Sequence, residues 1–134
     1  MSEFKHQALE LDKTKKIIYT AFSKHYFYFR SFISRYVLEN GGIPLNPFMI
    51  FDYFLSDTVD RDLIREGNNN LVKIADELWV FGPISDGALA EIKISKSQGK
   101  IVKYFEIIKS KEIVPLEIER VVLEDDVKEF RHIL

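Results

Sequence analysis

The chain has 134 residues and a mass of 15.7 kDa, one domain's worth of material, with 46% hydrophobic and 30% charged residues, a globular balance. Its 19 basic and 21 acidic side chains leave a net charge of -2, without the basic excess that tracking a nucleic-acid backbone requires, so no polymer partner of that kind is expected. The absence of cysteine excludes disulfides, thiolate metal sites and cysteine nucleophiles.

Residues 1–15 are polar and uneven in pattern and read as an arm. This stretch lacks the apolar centre of a signal peptide, and no later run approaches the ~20 apolar residues that cross a bilayer. Cytoplasmic residence without membrane contact is the expectation. Lys16–Phe22 is rich in strand formers and predicts a buried strand. Ser23 is placed to cap a helix over about 25–39, where Phe29, Phe32, Ile33, Tyr36 and Val37 form one apolar stripe. Asn40-Gly41-Gly42 ends that helix, and Ile43-Pro44-Leu45 predicts a brief second strand.

An aromatic-rich stretch follows Asn46-Pro47: Phe48, Met49, Phe51, Tyr53 and Phe54. Ser56 and Asp57 resemble helix-start residues for a segment through about Glu66, which Gly67-Asn68-Asn69-Asn70 is expected to interrupt before Leu71–Ala75 resumes. Glu77–Phe81 is the clearest strand, closed by Gly82-Pro83. A helix over about Gly87–Gln98, ended by Gly99, and a strand over Lys100–Phe105 come next. The tail predicts a strand at about 117–123 and a short acidic helix at about 124–132. Alternating helices and buried strands predict a three-layer α/β domain, Rossmann-like or flavodoxin-like, with a mainly parallel sheet of about five strands. The organisation expected is an arm (1–15), the α/β domain (16–110) and a C-terminal extension packed on it (111–134).

Several sites are absent from the pattern. Neither a phosphate loop nor a dinucleotide fingerprint occurs, so no cofactor is expected. His6, His25 and His132 are scattered without metal-ligand spacing, and no metal site is expected. Lys93, Lys96, Lys100 and Lys103 read as a solvated helix face. The informative stretch runs from Phe81 to Glu91, where a strand ends in a tight turn and a helix begins. Free N–H groups there, with the Ser85 hydroxyl, suit a phosphate or a sugar hydroxyl; equally, Ser85 or Asp86 caps the helix. The helix dipole is expected to keep Glu91 ionised at neutral pH.

Tyr19 on the first strand, the stretch Ala75–Val80, and Ser85-Asp86-Gly87 leading to Glu91 resemble the nucleoside 2-deoxyribosyltransferase-like superfamily over about Lys16–Phe105. That superfamily includes deoxyribosyltransferases and deoxynucleoside 5'-monophosphate N-glycosidases. The resemblance implies cleavage of an N-glycosidic bond, or deoxyribosyl transfer, on a small-molecule nucleotide or nucleoside. Glu91, four residues after Gly87, matches the nucleophilic carboxylate. Ser85 and Asp86 fall at the sugar or its phosphate, and a serine at position 85 resembles the nucleotide-cleaving branch. Tyr19 matches a site tyrosine, and Thr20 to Lys24, with Ala21, Phe22 and Ser23, matches a substrate-contacting loop. Family members are commonly homodimers or larger, so a homo-oligomer is implied. Asn68 departs from the pattern: catalytically characterised members carry an aspartate there, and an amide cannot act as an acid. Asp62 or Asp86 substitutes, or the protein is a nucleotide-binding module without efficient catalysis. The aromatic segment from Phe48 to Phe54 either flanks the base, packs in the core or forms a subunit interface.

Overall fold

A computed structural model of the chain describes residues 2–51, 55 and 57–134. Strands β1 (Lys16–Phe22), β2 (Gly42–Leu45), β3 (Glu77–Phe81), β4 (Ile101–Ile108) and β5 (Glu112–Pro115) form one sheet in the order β2-β1-β3-β4-β5. The first four are mutually parallel, and β5 runs antiparallel to β4. This is the predicted α/β class, with the strand order of flavodoxin-like domains. No helix among the described residues is long and apolar enough to cross a membrane.

The two-residue period of the strands divides the core. Tyr19, Ala21, Leu78, Val80 and Tyr104 point to a face covered by α3 (Arg61–Ile74), α4 (Asp86–Ser97) and the C-terminal residues Val121, Leu123, Val127 and Leu134. Ile18, Phe22, Trp79, Phe81 and Phe105 point the other way and meet Ile33 and Val37 of α1 (Arg30–Glu39). Asp76 pins the start of β1 to β3. Its Oδ2 accepts from the Ile17 N–H at 2.7 Å, and its own N–H donates to the Ile17 carbonyl at 2.7 Å.

Three expectations are corrected. The helix predicted over about 25–39 divides: Ser23 accepts from the His25 N–H at 3.3 Å and starts a 3-10 segment, Lys24–Phe29, that leads into α1. The expected break at Gly67–Asn70 does not occur, because α3 runs unbroken through it from an Asp60 cap, whose carboxylate accepts from the Asp62 N–H at 2.8 Å. Gly67 serves as a notch there: a Cβ would stand 2.6 Å from Cζ of Phe51, whose ring fills the space. The Asn70 amide donates to the Glu66 carbonyl at 2.8 Å, within its own helix. Asp57 lies ahead of that helix, whereas Ser56 lies outside the described residues.

The third correction concerns the tail. Residues predicted as a strand at about 117–123 form a 3-10 turn, Ile118–Arg120, and an isolated parallel bridge between Leu123 and Ile84. The strand lies earlier, in β5, after a hairpin turn with Lys109 and Ser110 at φ 51 and 58. The expected acidic helix is a 3-10 segment, Asp125–Ile133, kinked at Phe130. Residues beyond 110 therefore supply the sheet's edge strand as well as part of its core. The short helix α2 (Pro47–Ile50) begins at Asn46, whose side chain accepts from the Phe48 N–H at 3.1 Å.

Candidate active site

Reversal of strand order between β1 and β3 opens the position where ligands bind in sheets of this kind, beyond the strands' carboxyl ends. Two polar side chains meet beneath that position. Tyr19 lies on β1 in register with Leu45 of β2 and Leu78 of β3, and its ring is fully buried. Its hydroxyl donates to Oε2 of Glu91, which reaches in from the second turn of α4, the helix that follows β3. Ala88 and Ile92 hold that side of α4 against the sheet, so the partly buried carboxyl sits beside an apolar floor.

Burial pushes the Glu91 carboxyl from 4.5 up to about 7, and the hydrogen bond from Tyr19 opposes that rise without cancelling it. The expectation of a fully ionised carboxylate at neutral pH is thus corrected. Glu91 is the sixth residue of α4, beyond the first turn where the dipole acts, and desolvation outweighs what remains. Burial, followed by the Glu91 charge and the hydrogen bond to it, drives the Tyr19 phenol well above its ordinary value. Tyr19 therefore stays a donor. The pair amounts to a carboxylate poised at neutrality with a fixed hydroxyl on one oxygen, chemistry suited to nucleophilic attack or to proton exchange.

Other predicted site residues fall in several places. Ser85 caps α4, its Oγ accepting from the Ala88 N–H at 3.2 Å, and Asp86 accepts from the Gly87 N–H at 2.7 Å. The capping reading is the one observed, and the Ser85 hydroxyl keeps its proton to donate. Gly87 is exposed, with open space where a Cβ would stand. The loop expected over Thr20 to Lys24 is corrected: β1 continues through Phe22, and only Ser23 intervenes before the 3-10 segment. Ala21 and Phe22 are core residues, and the Phe22 ring packs against Phe48 at 4.9 Å between centroids. Phe48 thus serves the core, whereas Tyr53 and Phe54 of the same aromatic stretch lie outside the described residues.

Asn68 lies one helical turn before Val72 on the inward side of α3, and its Oδ1 is buried without a donor among the described residues. Asp62 does not replace it as an acid: it sits in the exposed first turn of α3, paired with Arg65 at 3.0 Å. The four lysines expected on one helix face divide as well. Lys93 and Lys96 are exposed on α4, while Lys100 closes the end of α3, donating to the Val72 carbonyl at 2.8 Å and to that of Lys73. Lys103 lies on β4, 3.6 Å from Glu77.

Sequence reading missed two contacts. The Tyr19–Glu91 bond joins residues 72 positions apart, and nothing local signals it. In the sequence Glu77 is only the first residue of a strand, yet it carries a buried cluster on the opposite face. It accepts from Trp79 Nε1 at 3.0 Å and from Lys16 Nζ at 3.0 Å. Burial pushes Glu77 up, but those hydrogen bonds and the charges of Lys103 and Lys16 prevail and hold it below the usual carboxylate range. Among the described residues no cluster of three or more metal-ligating side chains occurs.

Fold and site together define an α/β domain with a buried carboxyl–phenol pair below its topological switch point. The chain belongs to the family described as Domain of unknown function (DUF7768), which matches residues 19–105 and so spans both Tyr19 and Glu91. No curated protein matches the chain.

Proposed function

We propose that the protein cleaves the N-glycosidic bond of a nucleotide or nucleoside, or transfers its deoxyribosyl group, with Glu91 as nucleophile. The observation that carries this reading is the Tyr19–Glu91 hydrogen bond at the switch point. In the ionised form, a Glu91 oxygen donates an electron pair to the anomeric carbon while the carbon–nitrogen bond breaks and its pair leaves on the base. The base takes its proton from water, since Asn68 has none to give as an acid. Water or a second base then attacks the glycosyl ester and frees the carboxylate. Tyr19 orients the attacking group and stabilises its charged form; Ser85 and the turn beside it face the sugar or its phosphate. Homo-oligomeric assembly and a cytoplasmic setting belong to the same proposal.

A second reading, a nucleotide-binding module, is favoured by Asn68 itself, an amide where an acid would assist the leaving base. Incubation with a panel of deoxynucleotides and ribonucleotides, followed by chromatography, separates the two. Release of free base by the parent and not by Glu91→Gln supports cleavage, and the rate should rise with pH and level off above about 7 as the carboxyl ionises. Thermal stabilisation by a nucleotide with no base released supports the binding module.

A further inference from the structure

The tail after β5 lies beyond residues 19–105, the family match, yet it reaches the edge of the candidate site. Ile84, in the turn between β3 and α4, pairs with Leu123 in parallel register. The Ile84 N–H donates to the Val122 carbonyl and the Glu124 N–H to the Ile84 carbonyl, both at 2.9 Å. Both side chains of the pair are buried in the core. Side chains of extended backbone alternate, and Ser85 and Glu124, the next residues, are both extended. Ser85 and Glu124 therefore share the opposite side, about 5 Å apart at the spacing of paired strands. Burial along Val121–Glu124 alternates in the same sense.

The crevice at the switch point has two walls, the chain leaving β1 (Ser23 to Tyr26) and the chain leaving β3 (Gly82 to Ser85). The Tyr26 ring crosses between them and lies over Gly82, where a Cβ would stand 2.8 Å from it. Burial, and after it the charge of Glu124, raises the Tyr26 phenol, so the Glu124 carboxylate acts across this crevice.

The β3 wall offers an anion little. Asp86 and Ser85 already accept from the Gly87 and Ala88 N–H groups at the start of α4, and Asp86 adds an exposed carboxylate of its own. Cations of the tail are engaged elsewhere: Lys128 Nζ stands 2.7 Å from Asp125, and Arg131 donates to the Ile118 and Val121 carbonyls. A hydroxyl suits this wall better. It accepts from the Ser85 hydroxyl and donates to Glu124, whereas a phosphate dianion has no proton to give and is repelled by the carboxylate.

On the cleavage reading above, on which this inference rests, Ser85 faces the sugar or its phosphate. We propose that Glu124, beside it, is a specificity-determining residue that selects nucleosides with a free 5'-hydroxyl over their 5'-phosphates.

Chromatography of base released from 2'-deoxynucleosides and from the matching 5'-monophosphates tests this. The parent's kcat/KM should be about tenfold higher for the nucleosides, the scale of one carboxylate facing a dianion in a wet crevice. Raising salt from about 0.02 to about 0.5 M should speed the monophosphates about threefold and leave the nucleosides unchanged, because screening weakens only the charged encounter. Glu124→Gln should narrow the preference about fivefold, chiefly by speeding the monophosphates, and Glu124→Lys should reverse it. Melting temperatures check that both variants fold. A parent that prefers monophosphates, or a preference unmoved in both variants, would overturn the inference and leave cleavage standing. So would a monophosphate rate that depends on Lys24, exposed on the β1 wall, and not on Glu124. Base release from neither class would refute cleavage itself, and this inference with it.

Discussion

Replacing Glu91 by glutamine removes the charge while keeping an oxygen for the Tyr19 hydroxyl to reach. The magnitude follows from the carboxyl's rise from 4.5 to about 7. At about 1.4 kcal/mol per tenfold change in proton affinity, the ionised form is disfavoured in the folded protein by about 3 kcal/mol. The sign is fixed by which state holds the proton. Below pH 4.5 both folded and unfolded chains are protonated at this group, and it costs nothing. Between pH 4.5 and 7 the unfolded chain releases its proton while the folded chain keeps it, so stability falls as pH rises. Above pH 7 the cost reaches its full value. Glu91→Gln escapes this loss. Its melting temperature should therefore match the parent's near pH 4.5 and exceed it by roughly 10 °C at pH 8, given a few degrees per kcal/mol for a domain of this size. Scanning calorimetry of both proteins between pH 4.5 and 8.5 measures the difference directly. A gap that stays constant across the range would refute the assignment of a buried, proton-retaining carboxyl.

Three further outcomes are expected. Gly82→Ala should destabilise by about 2 kcal/mol in urea unfolding, because φ is +78 and the new Cβ would stand 2.8 Å from the Tyr26 ring. Asn68→Asp should raise the rate of base release at least tenfold below pH 6 if protonation of the leaving base is slow, as general acids commonly contribute 10²–10⁴-fold; an unchanged rate would put the proton transfer elsewhere. Glu77→Ala should cost about 2 kcal/mol at pH 7, since it strands Trp79 Nε1 and separates two lysines from their partner. Because the Glu77 carboxyl is held low, that difference should shrink as pH falls through its folded value, which denaturant titration at pH 3 and pH 7 compares.

Legibility in the sequence followed the range of the forces involved. β1 and β3 were readable to the residue because apolar runs bounded by turn residues report burial on both faces. The Ser85 cap was readable because capping acts over three residues. Gly67-Asn68-Asn69-Asn70 misled because helix propensity is a weak local bias, and here Phe51 filling the glycine notch and the Asn70 amide bond override it. The β4–β5 hairpin escaped notice because Lys109 and Ser110 adopt positive φ, where glycine or asparagine would have marked the turn. At the candidate site, the residue types came from the sequence and the resemblance. The direct Tyr19–Glu91 bond and the desolvation that raises Glu91 depend on how α4 lies across β1, which no local pattern encodes.

On the proposed mechanism, Glu91 becomes bonded to the sugar. Acid quenching during turnover of whichever deoxynucleotide releases base, followed by peptide mass spectrometry, tests it most directly. One sugar-sized mass increment is expected on the peptide containing Glu91, and none on that of Glu91→Gln. Base release that persists in Glu91→Gln, or an increment carried by another residue, would contradict it.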